Sequence, residues 1–233
     1  MERSPDQQRS VLIFHGIGEP RRELEPGEAV FWVSRERFCE ILDRIVAMGP
    51  EAPEITFDDG NASDAEIALP ELEKRGLKAV FFLLSARIGT PGSLSGADVR
   101  RLAEAGHTIG LHGATHRDWR KLDAAGRQAE YRDARQRLAD LAGAPVTLAA
   151  APFGLYDRGV SAALAAEGVE ALYTSDWGLS RDSAFLRPRN CITDGMSPRA
   201  LENALRGRMT PLRRARRLLG LMRKRLLPAQ GAA

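Results

Sequence analysis

The sequence predicts an α/β fold built on a parallel sheet or barrel, and three observations predict it. Short apolar runs rich in β-branched and aromatic residues alternate with stretches of helical spacing along most of the chain. The apolar runs are mostly continuous rather than alternating, as in strands buried on both faces. Glycines follow the ends of five helical stretches, at Gly49, Gly76, Gly106, Gly143 and Gly168, where a chain leaving a helix favours a left-handed residue.

Taken in order, strands are expected at Val11–His15, Glu54–Phe57, Ala79–Leu84, Thr108–His112, Val146–Ala150, Ala171–Thr174 and Leu186–Ile192. Helices are expected at Ser34–Met48, Ser63–Arg75, Ala97–Ala105, Ala124–Leu141, Arg158–Glu167 and Pro198–Arg206, with Ser95 as an N-cap. There is no internal repeat and no low-complexity linker. The one shift in composition falls near Asn203, so residues 1–202 read as a single folded body and 203–233 as a separate tail.

With 233 residues, 43% of them hydrophobic, the chain is long enough for one sizeable core. Cys39 and Cys191 lie far apart in apolar surroundings, which indicates neither a disulfide framework nor a cysteine zinc site. No apolar run approaches the ~18 residues of a membrane span, and "MERSPDQQRSVLIF" has too polar a start and too short an apolar run for a secretory leader, so a cytoplasmic location is expected. The net charge of +3 is uneven. Nine Lys/Arg and no acid lie between Asn203 and Ala233, which leaves −6 on residues 1–202. An acidic body argues against nucleic acid as a partner, because a phosphate footprint needs its basic patch on the fold.

Several polar signals sit where strands end, the position at which parallel α/β folds collect reactive groups. These are His15-Gly16, Asp58-Asp59-Gly60, His112-Gly113-Ala114-Thr115-His116, Pro152-Phe153-Gly154 and Ser175-Asp176-Trp177. In a helical turn, the four-residue spacing of His112 and His116 would let two imidazoles face one ion, and Asp59 could complete a three-ligand site with open positions. Asp58 would then remain a free carboxylate beside acidified water. A turn-forming Asp-Asp-Gly is the plain alternative. His107 precedes its strand and reads as structural.

In order and spacing, "TFDDG", "KAVFFLL", "GHTIGLHGATH", "APFG" and "SDW" resemble the polysaccharide deacetylase family, also called NodB-like or carbohydrate esterase family 4, over roughly Val11 to Asp194. The resemblance implies a distorted (β/α) barrel of about seven strands that hydrolyses N-acetyl groups on sugars. It also implies Asp58 as general base, and Asp59, His112 and His116 as ligands of a divalent metal, usually zinc. Pro152, Phe153 and Gly154 would line the groove near an oxyanion-stabilising backbone N–H, while Asp176 and Trp177 supply an orienting carboxylate and an apolar wall.

Two departures stand out. Ala150 replaces the Arg that commonly precedes the Pro-aromatic-Gly motif by two residues, so Asp58 is expected to lack a cationic neighbour and to be the more basic for it, unless Arg187 or Arg189 supplies the charge. The region of the late Leu-x-His motif reads Cys191-Ile192-Thr193-Asp194 and has no histidine. "VLIFHGIGEP" resembles the first strand of the rearranged exopolysaccharide de-N-acetylase branch, in which a His after that strand takes the acid role, and this points to His15 as general acid.

The sequence therefore reads as a metal-dependent deacetylase of a polysaccharide, glycan precursor or amino sugar, with a catalytically impaired carbohydrate-binding member of a polysaccharide assembly complex as the alternative. Trp119, Phe153, Tyr156 and Trp177 could stack on a sugar face or pack against neighbouring loops, with Trp177 foremost as a substrate contact, and Arg21 and Arg22 could meet phosphate. In the tail, Thr210 can cap a helix with Pro211 at its first position. Leu212, Ala215, Leu219, Met222 and Leu226 then fall on one face, and Arg213, Arg216, Arg217, Arg223 and Lys224 on the other. Residues 210–227 could anchor at an inner membrane surface, pack on the barrel with the basic face in solvent, or dock an acidic partner.

Overall fold

The computed structural model describes residues 8–226, with nothing described of the Arg223, Arg225 and Leu226 side chains. Residues 1–7, which carry much of the reading of the leader, lie outside it, as do the Arg223 and Leu226 side chains of the expected tail stripe.

Among the described residues eleven strands form: β1 (Gln8–Phe14), β2 (Gly16–Ile17), β3 (Trp32–Val33), β4 (Glu54–Asp59), β5 (Ala79–Leu83), β6 (Thr108–Leu111), β7 (Leu148–Ala150), β8 (Ala171–Thr174), β9 (Leu179–Arg181), β10 (Leu186–Pro188) and β11 (Asn190–Cys191). Eight of them make one parallel sheet in the order β10-β8-β7-β6-β5-β4-β1-β11, while β9 adds antiparallel to β1. The sheet curls into a nearly closed barrel. Its two edges are separated along the chain by one residue, Arg189. All seven expected strands are present, and the last, Leu186–Ile192, breaks at Arg189 so that its halves join opposite edges. The Arg189 N–H donates to the Thr174 carbonyl at 3.0 Å and its own carbonyl accepts from Trp177 N–H at 3.1 Å, which pins the break.

The helices are α1 (Arg35–Ala47), α2 (Leu69–Glu73), α3 (Gly96–Glu104), α4 (Ala124–Arg127), α5 (Ala134–Ala142), α6 (Arg158–Ala166), α7 (Pro198–Leu205) and α8 (Pro211–Leu226). In α1, Ser34 accepts from the Arg37 N–H at 3.1 Å, and Phe38, Ile41, Leu42 and Ile45 make a stripe at helical spacing that is buried against the sheet. Ser95 and Asp98 form a capping box on α3, and Ser95→Ala would cost about 1 kcal/mol. Two expected helices are interrupted by π turns, Asp64–Ala68 before α2 and Gln128–Asp133 between α4 and α5. Such bulges concentrate near functional sites.

The strands are buried on both faces, as their composition predicts. Phe14, Phe57 and Phe81 stack across β1, β4 and β5 in the layer beneath the helices, with ring centroids 5.5 and 4.7 Å apart. Burying each ring contributes roughly 2–3 kcal/mol. Because side chains alternate along a strand, Thr56 and Asp58 take the opposite face from Ile55 and Phe57. That inner face holds a smaller cluster of Val11, Val80, Phe82, Ala150, Ala171 and Tyr173. The parallel register sets Asp59 beside Leu83 and Leu83 beside Leu111. His112, the residue after Leu111, therefore emerges at the same carboxyl end as the two aspartates.

Candidate metal centre and active site

Asp59, His112 and His116 converge at that end of the barrel, each offering a ligand atom within 4.8 Å of the others. The Asp59 Oδ1 lies 3.7 Å from His112 Nε2 and 3.8 Å from His116 Nε2. These gaps are too long for hydrogen bonds but close to the spacing of two ligands each ~2.1 Å from one ion. The same Oδ1 is buried without a hydrogen-bond partner. An unsatisfied buried carboxylate oxygen is costly, and a cation between it and the imidazoles would satisfy it, so these residues fit a divalent metal.

Both imidazoles are turned by their far nitrogens. His112 Nδ1 meets the Ala150 carbonyl at 2.8 Å, and burial holds the His112 pKa below its ordinary value, so the ring is neutral with Nε2 free to ligate. His116 Nδ1 meets Glu25 Oε2 at 3.0 Å, and Glu25 is itself paired with Arg87. Such outer partners fix the tautomer and raise ligand basicity.

The His112–His116 segment forms a loop rather than the helical turn on which the spacing argument relied. Glu130, buried on its π turn, accepts from the Ala114 N–H at 2.8 Å and the Thr115 N–H at 3.2 Å. A Cβ on Gly113 would stand 2.4 Å from the Glu130 carboxylate, so only glycine lets the loop lie this close. Among the described residues, the non-glycine positions with positive φ are Asp59, His116, Phe153 and Trp177, and all four line this site. Each such backbone costs of order 1–3 kcal/mol and persists where surrounding structure over-determines it.

Asp58 lies beside the cluster without completing it. Its Oδ1 and Oδ2 accept from Arg189 Nη1 and Nη2 at 2.6 and 2.8 Å, a bidentate pair inside the barrel. Arg189 is fully buried, donates to Thr56 Oγ1 at 3.0 Å, and has its guanidinium 5.1 Å from the Phe82 ring centroid. Burial alone would raise the Asp58 carboxyl, but the guanidinium prevails and holds its pKa at about 2. Of the two outcomes expected for Asp58, the one with a substitute charge holds: the cation absent at Ala150 arrives as Arg189 from the junction of β10 and β11, and Asp58 is not the more basic for its loss. Asp64, fully buried with neither carboxylate oxygen hydrogen-bonded, has its pKa pushed well up, first by burial and then by Asp59 and Asp58.

A cavity of about 410 Å³ joins these groups, lined by His15, Asp58, Asp59, His112 and His116 together with Phe31, Phe153, Gly154, Trp177 and Cys191. His15 stacks on Phe31 at 4.8 Å and its Nδ1 is buried without a partner. Phe153 sits 4.0 Å from the His116 ring and is 56% exposed.

The other expected groove residues divide. Pro152 is buried under the rim, and Asp176 accepts from Tyr156 and Lys224, both at 2.6 Å; neither lines the cavity. Of the two readings open for the aromatics, Trp119 and Tyr156 follow the packing one, both being buried. Arg21 and Arg22 pair with Glu66 and Glu28 rather than standing ready for phosphate. His107 accepts the Ala79 N–H at 3.2 Å at the opposite, amino end of the strands, where burial lowers its pKa to about 4. Sequence reasoning missed Glu25, Phe31 and Glu130, since no local spacing links the 25–31 loop or a distant π turn to the two histidines.

The barrel thus brings an Asp-His-His cluster and a second, separate carboxylate together at the carboxyl ends of its strands. Residues 47–172 match the family model described as polysaccharide deacetylase, and the chain belongs to that family. It is 28% identical over 145 residues to the putative polysaccharide deacetylase YxkH of Bacillus subtilis, a match covering 61% of this chain and 52% of that protein. The chain thus spans about half the length of this curated relative. Among solved structures, the Streptococcus pyogenes deacetylase PplD in complex with acetate aligns with a TM-score of 0.74 at 18% identity, over 86% of this chain and 99% of that one. IcaB from Ammonifex degensii aligns at 0.67 and 20% identity, over 84% and 94%. These likenesses bear on the fold.

Proposed function

We propose that this chain is a metal-dependent deacetylase that removes acetyl groups, N-linked by our reading, from a polysaccharide, glycan precursor or amino sugar. One observation carries the reading: Asp59, His112 and His116 share a cavity with a carboxylate, Asp58, that another residue already holds in place.

Asp59 Oδ1 and the two Nε2 atoms would hold the ion. When bound, a divalent ion, zinc in our reading, supplies Lewis-acid polarisation of the acetyl carbonyl and lowers the pKa of water towards ~7, so that even a carboxylate held near 2 serves as its base. Asp58 accepts the proton of the attacking water, with Arg189 fixing both of its oxygens. A backbone N–H in the Phe153 turn meets the developing oxyanion. His15 gives a proton to the departing nitrogen as the C–N bond breaks, so that acetamide and water become acetate and a free amine. Trp177 and Phe153 wall the sugar, Gly154 lets the Phe153 turn pack on Ser175, where a Cβ would stand 2.8 Å from that side chain, and Pro152 and Asp176 support the two rim loops from behind.

The test is acetate release from a panel of acetylated glycans, with chelator and after zinc is restored. Release that stops with chelator and returns with zinc supports the reading. Release indifferent to chelator overturns the metal role, and no release from any glycan overturns the activity.

A further inference from the structure

Helix α8 lies on the barrel the unusual way round. Part of its basic side meets the protein: the Arg213 guanidinium stands 3.6 Å from the Trp177 ring centroid, and Lys224 Nζ reaches Asp176 at 2.6 Å and the Gly154 carbonyl at 3.3 Å. Leu212, Leu218, Leu219 and Met222 face outward, each 54–63% exposed. A helix that merely covers a core does the reverse. The expectation that, if packed on the barrel, α8 would leave its basic face in solvent is corrected for Arg213 and Lys224, while Arg216 of that face stays exposed. At 3.6 residues per turn the outward stripe is flanked by exposed Arg214 on one side and exposed Arg216 on the other.

We propose that this stripe is a docking surface for a bilayer of anionic lipids, on which α8 lies parallel to the membrane plane. Charge selects the occupant. The sixteen residues of α8 carry seven Lys/Arg and no acid, so a second copy meeting it face to face would bring like charges together. A bilayer accepts both halves of the pattern: leucines at the acyl boundary and arginines reaching up to the headgroups. At the start of α8 a cavity of about 320 Å³ is lined by Arg208, Thr210, Arg213 and Arg216 with no carboxylate, which suits a lipid phosphate.

The position has a consequence for substrate. Through Arg213 and Lys224 the helix grips the loops that carry Trp177 and Gly154, so a docked chain holds its cavity rim at the membrane. A glycan tethered to that surface then reaches the site without diffusing from bulk. This second step rests on the deacetylase reading, while the docking itself does not.

The experiment is co-sedimentation of the full chain with vesicles of phosphatidylcholine alone and of phosphatidylcholine mixed with phosphatidylglycerol. The parent chain is expected to partition at least ~10-fold more strongly onto the anionic vesicles, and to lose that binding in high salt. Leu212→Asp/Leu219→Asp/Met222→Asp should remove binding while retaining the parent's circular dichroism, unfolding midpoint and acetate release from a soluble glycan; Arg214→Glu/Arg216→Glu should remove the preference for anionic lipid. Equal sedimentation of parent and apolar-stripe variant, or no binding to either vesicle, overturns the proposal. So does light scattering that finds a parent dimer made monomeric by the triple variant, since the stripe then belongs to a second copy. Vesicle binding without acetate release would sink the deacetylase reading alone.

Discussion

Asp58 and Arg189 form a bidentate ion pair inside the barrel, 2.6 and 2.8 Å between their atoms, although they lie 131 residues apart in sequence. The pair both supports the fold and sets the charge of the proposed base. Replacing Arg189 with Gln leaves a buried carboxylate without its counter-charge, so a loss of about 3–5 kcal/mol is expected in urea unfolding. The sign with pH follows from the depressed carboxyl. The stability Asp58 contributes is present above its unfolded value near 3.9 and is lost as pH falls towards 2. In Arg189→Gln the carboxyl titrates at higher pH, so the acid limb of kcat/KM should move upward. An unmoved limb and unchanged stability would show that the pair does neither.

Glu25 is an orienting partner of His116 through Nδ1, so Glu25→Gln should weaken zinc binding by about 10–100-fold. Zinc titration by calorimetry reads this directly. Equal affinity would mean that His116 is oriented without it.

His15 enters the account as proton donor and not as ligand. His15→Ala should lower kcat by roughly 10²–10⁴-fold while zinc affinity stays within about twofold. Lost zinc binding would reassign the residue to the metal, and unchanged turnover would remove it from the chemistry.

His107 offers a test away from the site. Burial lowers its pKa to about 4, so below its unfolded value near 6.5 the ring must shed a proton to fold. Its contribution is fully present above the unfolded value near 6.5 and fades as pH falls to about 4. His107→Gln, which can still accept the Ala79 N–H, should flatten the dependence of the unfolding midpoint across that window. A slope equal to the parent's would assign the acid sensitivity to other groups.

What the sequence made legible was local. The seven apolar runs all became strands, and the polar signals at their ends met in one cavity because a parallel barrel gathers carboxyl ends together. What it hid was set by the third dimension. Nothing in "LRPRNCI" marks Arg189 as the residue at which one strand becomes two, because the break is imposed by hydrogen bonds to Thr174 and Trp177. His112 and His116 have the spacing of a helical turn yet converge through a loop held by Glu130, so what brings them together is a contact that their spacing does not encode. The amphipathic pattern of α8 was visible, but which side meets the protein depended on Asp176 and Trp177 standing where Lys224 and Arg213 could reach them.

The central claim, that Asp59, His112 and His116 hold one divalent cation, is tested most directly by counting zinc on the purified chain and on Asp59→Ala, His112→Ala and His116→Ala. A single tightly held equivalent is expected on the parent chain and an affinity at least ~100-fold weaker in each variant, with folding retained. A parent chain that binds no zinc, or three variants that hold it as tightly as the parent, would contradict it.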